Sequence, residues 1–455
     1  MRFIIFFLPV IAAWTPTSWR NKIAVQQPVY QNKQKLEEVE NKLRNCAPLI
    51  FAGECRELQQ QLAKVSVGKG FLLIGGECAE SINDINTSKL RDTFRLILQM
   101  SFILTYGSSV PVIKMYRGAG QYAKPRSNDF EEKNGLKLPS YRGDIINSID
   151  FNEESRIAKP DNMINAYNHA TQILNILRAF SSGGYADVKR IHQWNLDFVK
   201  NSNIGKKYVD LANKVDDALK FVEAMGVDIN SPIFEKTTIY PCHECLLLPY
   251  EEAFVRLDST KNLYYDCSGA MLWIGERTRQ LDGAHIEFIR GINNPIGIKI
   301  SDKCQPDELI ELLNIVNPKN ELGKVILITR MGSTKLKEHL PKLITAVKEH
   351  EKFVVWCTDP VHGNTITTPD GIKTRSFEKI KEEIKTFFEV HKQMGTWAGG
   401  IHLEMTGEDV TECLGGSQNI TNEDLSKNYL TLCDPRLNGF QSLELAFLIT
   451  DYMKN

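Results

Sequence analysis

The sequence has almost no net charge: 55 lysines and arginines stand against 56 aspartates and glutamates, a formal charge of −1. That balance excludes a protein held to nucleic acid by a global basic field. Long apolar runs are missing too. The N-terminal run Phe3–Ala13 is too short to span a bilayer, so no membrane association is expected. It ends in the small pair Ala12-Ala13, like a signal-peptide core, so residues 1–13 read as an apolar leader of open status. A hydrophobic first segment that packs on the domain has the same composition. No internal repeat or low-complexity tract occurs. Ten cysteines scattered over 455 residues are not the dense framework of a small disulfide-stapled domain. Several lie in apolar runs, so a reducing compartment and a role as small buried residues are expected.

What is present is strand–helix alternation. Eight short apolar runs have strand length: Phe71–Gly75, Pro111–Met115, Ala270–Ile274, Ile296–Ile300, Val325–Thr329, Phe353–Cys357, Ile401–Met405 and Tyr429–Cys433. Most lack polar alternation, as in a parallel sheet covered on its outer face. Helical patterns lie between them: Pro306 to Val316, a helix opened by Pro341, one capped by Ser376, and Gln441 to Tyr452. The expected fold is an α/β (β/α)8 TIM barrel, one decorated domain over residues 14–455. Residues 14–65 form an N-terminal extension with a helix near Lys33–Arg44. Residues 140–260 form a mainly helical insertion between strands 2 and 3. In it, Met163, Tyr167, Ala170, Leu174 and Leu177 make an amphipathic stripe that covers the barrel or a partner subunit.

In such a barrel, reactive residues follow the strands on the C-terminal face. The first strand ends in Gly75-Gly76-Glu77-Cys78 and the sixth in Thr358-Asp359-Pro360-Val361-His362-Gly363-Asn364. His402 and Glu404 share one face of the seventh, and the eighth ends in Cys433-Asp434-Pro435-Arg436. Cys78, His362, Glu404 and Asp434 would then converge as a thiolate, an imidazole and two carboxylates. That set suits a divalent transition metal, Mn, Fe, Co or Zn. Each residue alone has a plain structural reading; their shared position carries the signal. Cations gather similarly. Arg117 and Lys124-Pro125-Arg126-Ser127 follow the second strand, Glu276-Arg277 the third, Lys299 ends the fourth and Arg330 follows the fifth. Four cationic strand ends in a row repel one another unless anions lie among them, so a substrate pair with several negative groups is expected. Cys242-His243-Glu244-Cys245 has no second pair to complete a zinc site and reads as structural.

These motifs resemble the class II (plant-type) 3-deoxy-D-arabino-heptulosonate 7-phosphate (DAHP) synthases, also called phospho-2-dehydro-3-deoxyheptonate aldolases. Trp14 to Arg20, Gly75 to Ser81, Arg91 to Arg95, Gly120 to Ser127, Trp273 to His285, Asp359 to Asn364, Gly400 to Glu404 and Asp434 to Asn438 carry the likeness. The resemblance implies a transferase of the shikimate pathway. It would condense phosphoenolpyruvate with erythrose 4-phosphate on the way to chorismate and the aromatic amino acids. It implies Cys78, His362, Glu404 and Asp434 as metal ligands, with Mn favoured. Arg117, Glu276, Arg277, Lys299 and Arg330 would bind phosphoenolpyruvate, and Lys124, Arg126 and Ser127 the aldose phosphate. Cys78, His362 and Lys299 would be catalytic, Lys299 by proton transfer. A cytoplasmic homo-oligomer is the expectation, with a chorismate mutase as a further partner. Glu77 and Ile82 depart from the family's usual Asp and Phe. The short segment before Trp14 puts feedback control of the family type in question. Competing readings are a phenazine-pathway paralogue with the same chemistry, a non-catalytic regulatory barrel, and a secreted binding protein.

Overall fold

Eight parallel strands close into a barrel in the computed structural model, which describes residues 13–82 and 86–454. The strands are β1 (Phe71–Gly76), β2 (Val112–Arg117), β3 (Ile239–Glu244), β4 (Met271–Ile274), β5 (Ile296–Ile300), β6 (Val325–Thr329), β7 (Val355–Thr358) and β8 (Gly400–Glu404). Their order around the barrel follows the chain, and β8 pairs with β1. Register lines up their C-terminal ends: Gly76 pairs with Arg117 on one side and with Glu404 on the other. The leader Phe3–Ala13 lies outside the described residues but for Ala13. Among the described residues no helix is long and apolar enough to cross a membrane.

Seven of the eight expected strands form, within about two residues of their expected bounds. The eighth does not. Tyr429–Cys433 is a loop whose amides are taken by side chains: Glu412 Oε1 accepts from Leu430 N at 3.0 Å and Thr431 N at 2.8 Å. With those donors occupied, no ladder partner is needed. The barrel closes instead through β3, inside the expected insertion, where Pro241 and the polar Cys242-His243-Glu244 mask the strand pattern. Pro241 lacks an N–H, but its carbonyl still accepts from Ala270 N at 2.9 Å. The chain between β2 and β3 therefore spans 118–238. It holds the hairpin Phe130–Lys133/Leu136–Pro139 and the long helices Asn162–Ser182 and Asn203–Ala224. The expected stripe on the first of these is buried or half-buried, and Tyr167 stacks on Phe254 at 5.6 Å, so it covers the barrel's flank.

Helix Lys33–Arg44 forms as expected, capped by the Asn32 side chain on Lys35 N at 2.8 Å. One helix differs: it runs Ser333–Glu349, and Pro341 sits in its interior. Its buried face, Leu336, Leu340, Leu343, Ile344 and Val347, outweighs the one lost backbone bond.

The segment after β8 returns to the barrel mouth on one buried cation. Arg436 donates to both Glu77 oxygens at 2.8 and 2.9 Å and to Glu412 at 3.0 and 2.8 Å. Removing one partner of such a group strands the others' charge at about 3–5 kcal/mol. Arg436→Met should therefore lower the thermal midpoint by several degrees; an unchanged midpoint would show that this cluster is not holding the loop. At the opposite end, Lys324 donates to Ile292 O at 2.8 Å and Asn294 O at 2.7 Å. Burial lowers its pKa from 10.5 to about 7. Between these values the unfolded chain binds more protons, so this contribution to stability grows with rising pH and is lost as pH falls through about 7. Lys324→Met should thus lag the wild type further in urea midpoint at about pH 9.5 than at about pH 7. Equal gaps at both would mean the buried amine stays charged.

Candidate active site

The mouth begins at a turn only glycine fits. Gly76 has φ +139°, and a Cβ there would stand 2.2 Å from the Arg117 carbonyl oxygen. This close approach lets Glu77 N donate to Arg117 O at 3.0 Å and sets Cys78 in the wall of the mouth. There the Cys78 thiol meets Asp434, 356 residues away in sequence, at 3.4 Å. One ligand atom each from Cys78, Glu404 and Asp434 lies within 4.8 Å of the others. His362 Nε2 is 2.9 Å from Glu404 Oε1. The structure thus gathers Cys78, Glu404 and Asp434 and sets His362 beside Glu404, with Asp434 coming from a loop and not from a strand end.

The surroundings of this group are charged and buried. His362 Nδ1 lies 2.6 Å from Asp359 Oδ2, and Asp359 Oδ1 also accepts the backbone N–H groups of Val361 and His362. Arg375 donates to Glu404 Oε2 at 2.5 Å. Burial disfavours ionisation of Glu404, yet His362 and Arg375 hold its carboxyl well below the usual range. Burial likewise opposes the charge on Asp359, and His362 and Lys299 hold it down. Burial and the nearby Glu404 push the Cys78 thiol well up. A thiol, an imidazole and two carboxylates at these separations fit a divalent transition metal, which favours the thiolate by the same electrostatics that now oppose it. Lys124 Nζ stands against this group, 3.0 Å from Cys78 Sγ and 2.5 Å from Asp434 Oδ2.

Beside it opens a cavity of about 390 Å³, lined by every expected site residue except Glu404, which lies buried behind the wall. Arg117 donates to His402 Nε2 at 2.7 Å and lies 3.5 Å from Glu404 Oε1. Its guanidinium sits 5.2 Å from the Trp273 ring centre, with the Lys299 ammonium 5.9 Å from the same ring. Because arginine only donates, His402 must accept through Nε2. Burial, with Lys299 and Arg117 nearby, keeps it neutral. Lys299 pairs with Asp359. Burial lowers its proton affinity, Asp359 opposes that, and Arg117 adds to it. Cation crowding is therefore secondary to burial. Arg277 donates to Ser127 Oγ at 2.6 Å, and Arg126 to Glu131 at 2.6 Å. The Glu276 carboxylate accepts from Ser301 N, Ser301 Oγ and Arg279, each at 2.9 Å.

The cationic strand ends are not four in a row. β3 comes between β2 and β4, and it ends in Glu244 at the cavity wall. Sequence reasoning missed this carboxyl because it missed the strand. Burial raises its pKa, while Lys299 and Arg117 pull the other way. The charge-balancing roles of Asp359 and Arg375 were also missed. Asp359 stands three residues before His362, a usable signal; Arg375, in the hairpin Thr365–Thr367/Lys373–Arg375, has none.

The profile of the class-II DAHP synthetase family matches residues 14–450. The chain belongs to that family. Two relatives in the family agree over nearly their whole length. The phospho-2-dehydro-3-deoxyheptonate aldolase of Streptomyces coelicolor is 46% identical over 438 residues, 96% of this chain and 97% of its own. The phospho-2-dehydro-3-deoxyheptonate aldolase AroG of Mycolicibacterium smegmatis is 44% identical over 439 residues, 95% and 93% respectively.

Proposed function

We propose that the protein condenses phosphoenolpyruvate with D-erythrose 4-phosphate and water, giving 3-deoxy-D-arabino-heptulosonate 7-phosphate and phosphate, the first step of the shikimate pathway. The observation that carries this reading is one cavity lined by seven lysines and arginines together with the thiol of Cys78, the imidazole of His362 and the carboxylate of Asp434, in a member of this family. Two anionic substrates repel each other in water, and fixed guanidinium and ammonium groups offset that repulsion without reorganising.

In this scheme Arg117, Arg277, Lys299 and Arg330 bind the carboxylate and phosphate of phosphoenolpyruvate. Glu276 holds the Ser301 turn beside them. Arg126 and Ser127 meet the aldose phosphate at the outer rim, and Lys124 reaches the aldose from between the two groups. Cys78, His362, Glu404 and Asp434 would hold a divalent ion, Mn foremost and Co, Fe or Zn as alternatives. When bound, it supplies Lewis-acid polarisation of the aldose carbonyl. C3 of phosphoenolpyruvate forms a bond to that carbonyl carbon, and Lys299 delivers a proton to the oxygen. C2, now electron-poor, takes water. Ionised Glu244, favoured by Lys299 and Arg117, orients the water and accepts its proton, and burial makes it a stronger base than a free carboxylate. The C2–O bond to phosphate then breaks, its electron pair leaving on phosphate, while the C2 hydroxyl gives its proton to the departing phosphate and closes to the ketone. The buried Trp273 wall keeps other water from the reacting carbons.

The test is phosphate release from phosphoenolpyruvate with erythrose 4-phosphate, Mn added and then chelated. Release that needs both the aldose and the metal is the expected result. Release only with another phosphorylated aldose would keep the reaction type and move the protein to a different pathway. No release with any aldose, despite bound metal, would sink the enzymatic reading in favour of a regulatory barrel. We place the active protein in the cytoplasm as a homo-oligomer.

A further inference from the structure

Glu383 lies on the helix Phe377–Met394, fully buried and outside the cavity. One carboxylate oxygen accepts the Met331 N–H at 3.1 Å, and the other accepts from Asn364 Nδ2 at 2.6 Å. Met331 follows Arg330 in the loop after β6. Asn364 ends the short turn His362–Asn364 after β7 and also donates to Pro360 O at 2.7 Å. The two loops touch here: a Cβ on Gly363 would stand 2.8 Å from Gly332 N. The helix does not need this carboxylate to dock, because Ile380, Ile384 and Phe387 already bury its apolar stripe. A buried carboxylate is costly unless its bonds do something that an apolar residue could not. Here they join the loop bearing Arg330 to the loop bearing His362.

We propose that Glu383 is a positioning residue that couples the two halves of the site, so that metal affinity and phosphoenolpyruvate affinity depend on one carboxylate. The proposal rests on the reading of the site given above. Asp359 orients the His362 ring directly; Glu383 reaches the turn that carries His362 through the Asn364 side chain, and the loop that carries Arg330 through the Met331 N–H.

The test uses the full-length protein and two readouts. Co²⁺ is titrated into the purified protein, followed by the thiolate-to-cobalt absorption band, which needs no turnover. KM is then measured separately for phosphoenolpyruvate and erythrose 4-phosphate. For Glu383→Ala, the Co²⁺ dissociation constant and the KM for phosphoenolpyruvate should each rise about tenfold, the scale of outer-shell effects on metal sites, with the KM for the aldose nearly unchanged. Asn364→Ala cuts one arm only and should raise the Co²⁺ constant alone. Glu383→Gln, which keeps one acceptor, should fall between wild type and Ala, and it stands in if the Ala variant does not fold. Wild-type values in folded Glu383→Ala, or an equal rise in all three constants, would overturn the proposal. If the wild type binds Co²⁺ but turns over no aldose, the assigned reaction fails, and the cobalt titration alone still decides the role of Glu383 at the metal ligands.

Discussion

Cys78→Ala is expected to lower metal-dependent kcat/KM by at least about a thousandfold, the scale of losing several kcal/mol of charge stabilisation at the reacting carbonyl. The thiol is the one soft donor of the set, within 4.8 Å of the Glu404 and Asp434 oxygens. Without it three hard or borderline donors remain, and Lys124 loses its 3.0 Å partner and leans further onto Asp434. The fold should survive, because Cys78 follows β1 and contributes nothing to its ladder. The measurement is steady-state turnover across a metal titration, with metal content after dialysis and circular dichroism as controls. Substoichiometric metal, lost turnover and an unchanged spectrum are the expected outcome. Full turnover by the variant, or by the wild type in excess chelator, would remove the metal from the mechanism.

Asp359→Asn should be as damaging, by a different route. One buried carboxylate faces Lys299 and His362 Nδ1 and accepts two backbone N–H groups. An amide has the same shape but no charge, so the Lys299 ammonium is left buried beside Arg117 without its counter-ion. Breaking a buried pair this way costs about 3–5 kcal/mol of stability. The amide also presents either N–H or C=O to His362 Nδ1, and the wrong choice reverses the tautomer; a comparable exchange behind a catalytic histidine costs about 10⁴ in kcat. The expected result is a fall in kcat of roughly 10²–10⁴ together with a lower thermal midpoint. Thermal unfolding read alongside turnover at saturating metal separates the two effects. A variant with wild-type kcat and midpoint would show that Lys299 needs no counter-ion, which would also undermine it as the proton donor.

Much of the site was legible because its residues are tied to strand ends. Parallel barrel strands are buried on both faces, so β1, β2 and β4 to β8 stand out as apolar runs. Reading the residue after each run finds Cys78, Arg117, Arg277, Arg330 and His362 directly, and Lys299 and Glu404 within their strands. β3 escapes that procedure because Pro241 and three polar residues break its apolar run, and Glu244 went unseen with it. Asp434 was found for a reason that does not hold. Its loop carries the same residue to the same place through the Arg436–Glu77 and Arg436–Glu412 pairs.

The sequence by itself determined the fold class, the family and the chemical inventory, because these depend on local pattern and on residue type at element ends. Tertiary structure alone decided which charges meet: Lys124 with Cys78 and Asp434, Arg375 with Glu404, Asp359 between Lys299 and His362, Glu383 between two loops. Apart from Asp359 and His362, three residues apart, those pairings join residues brought together only when the barrel closes. Their energies are set by how deeply each charged group is buried, which the sequence around an isolated charged residue does not reveal.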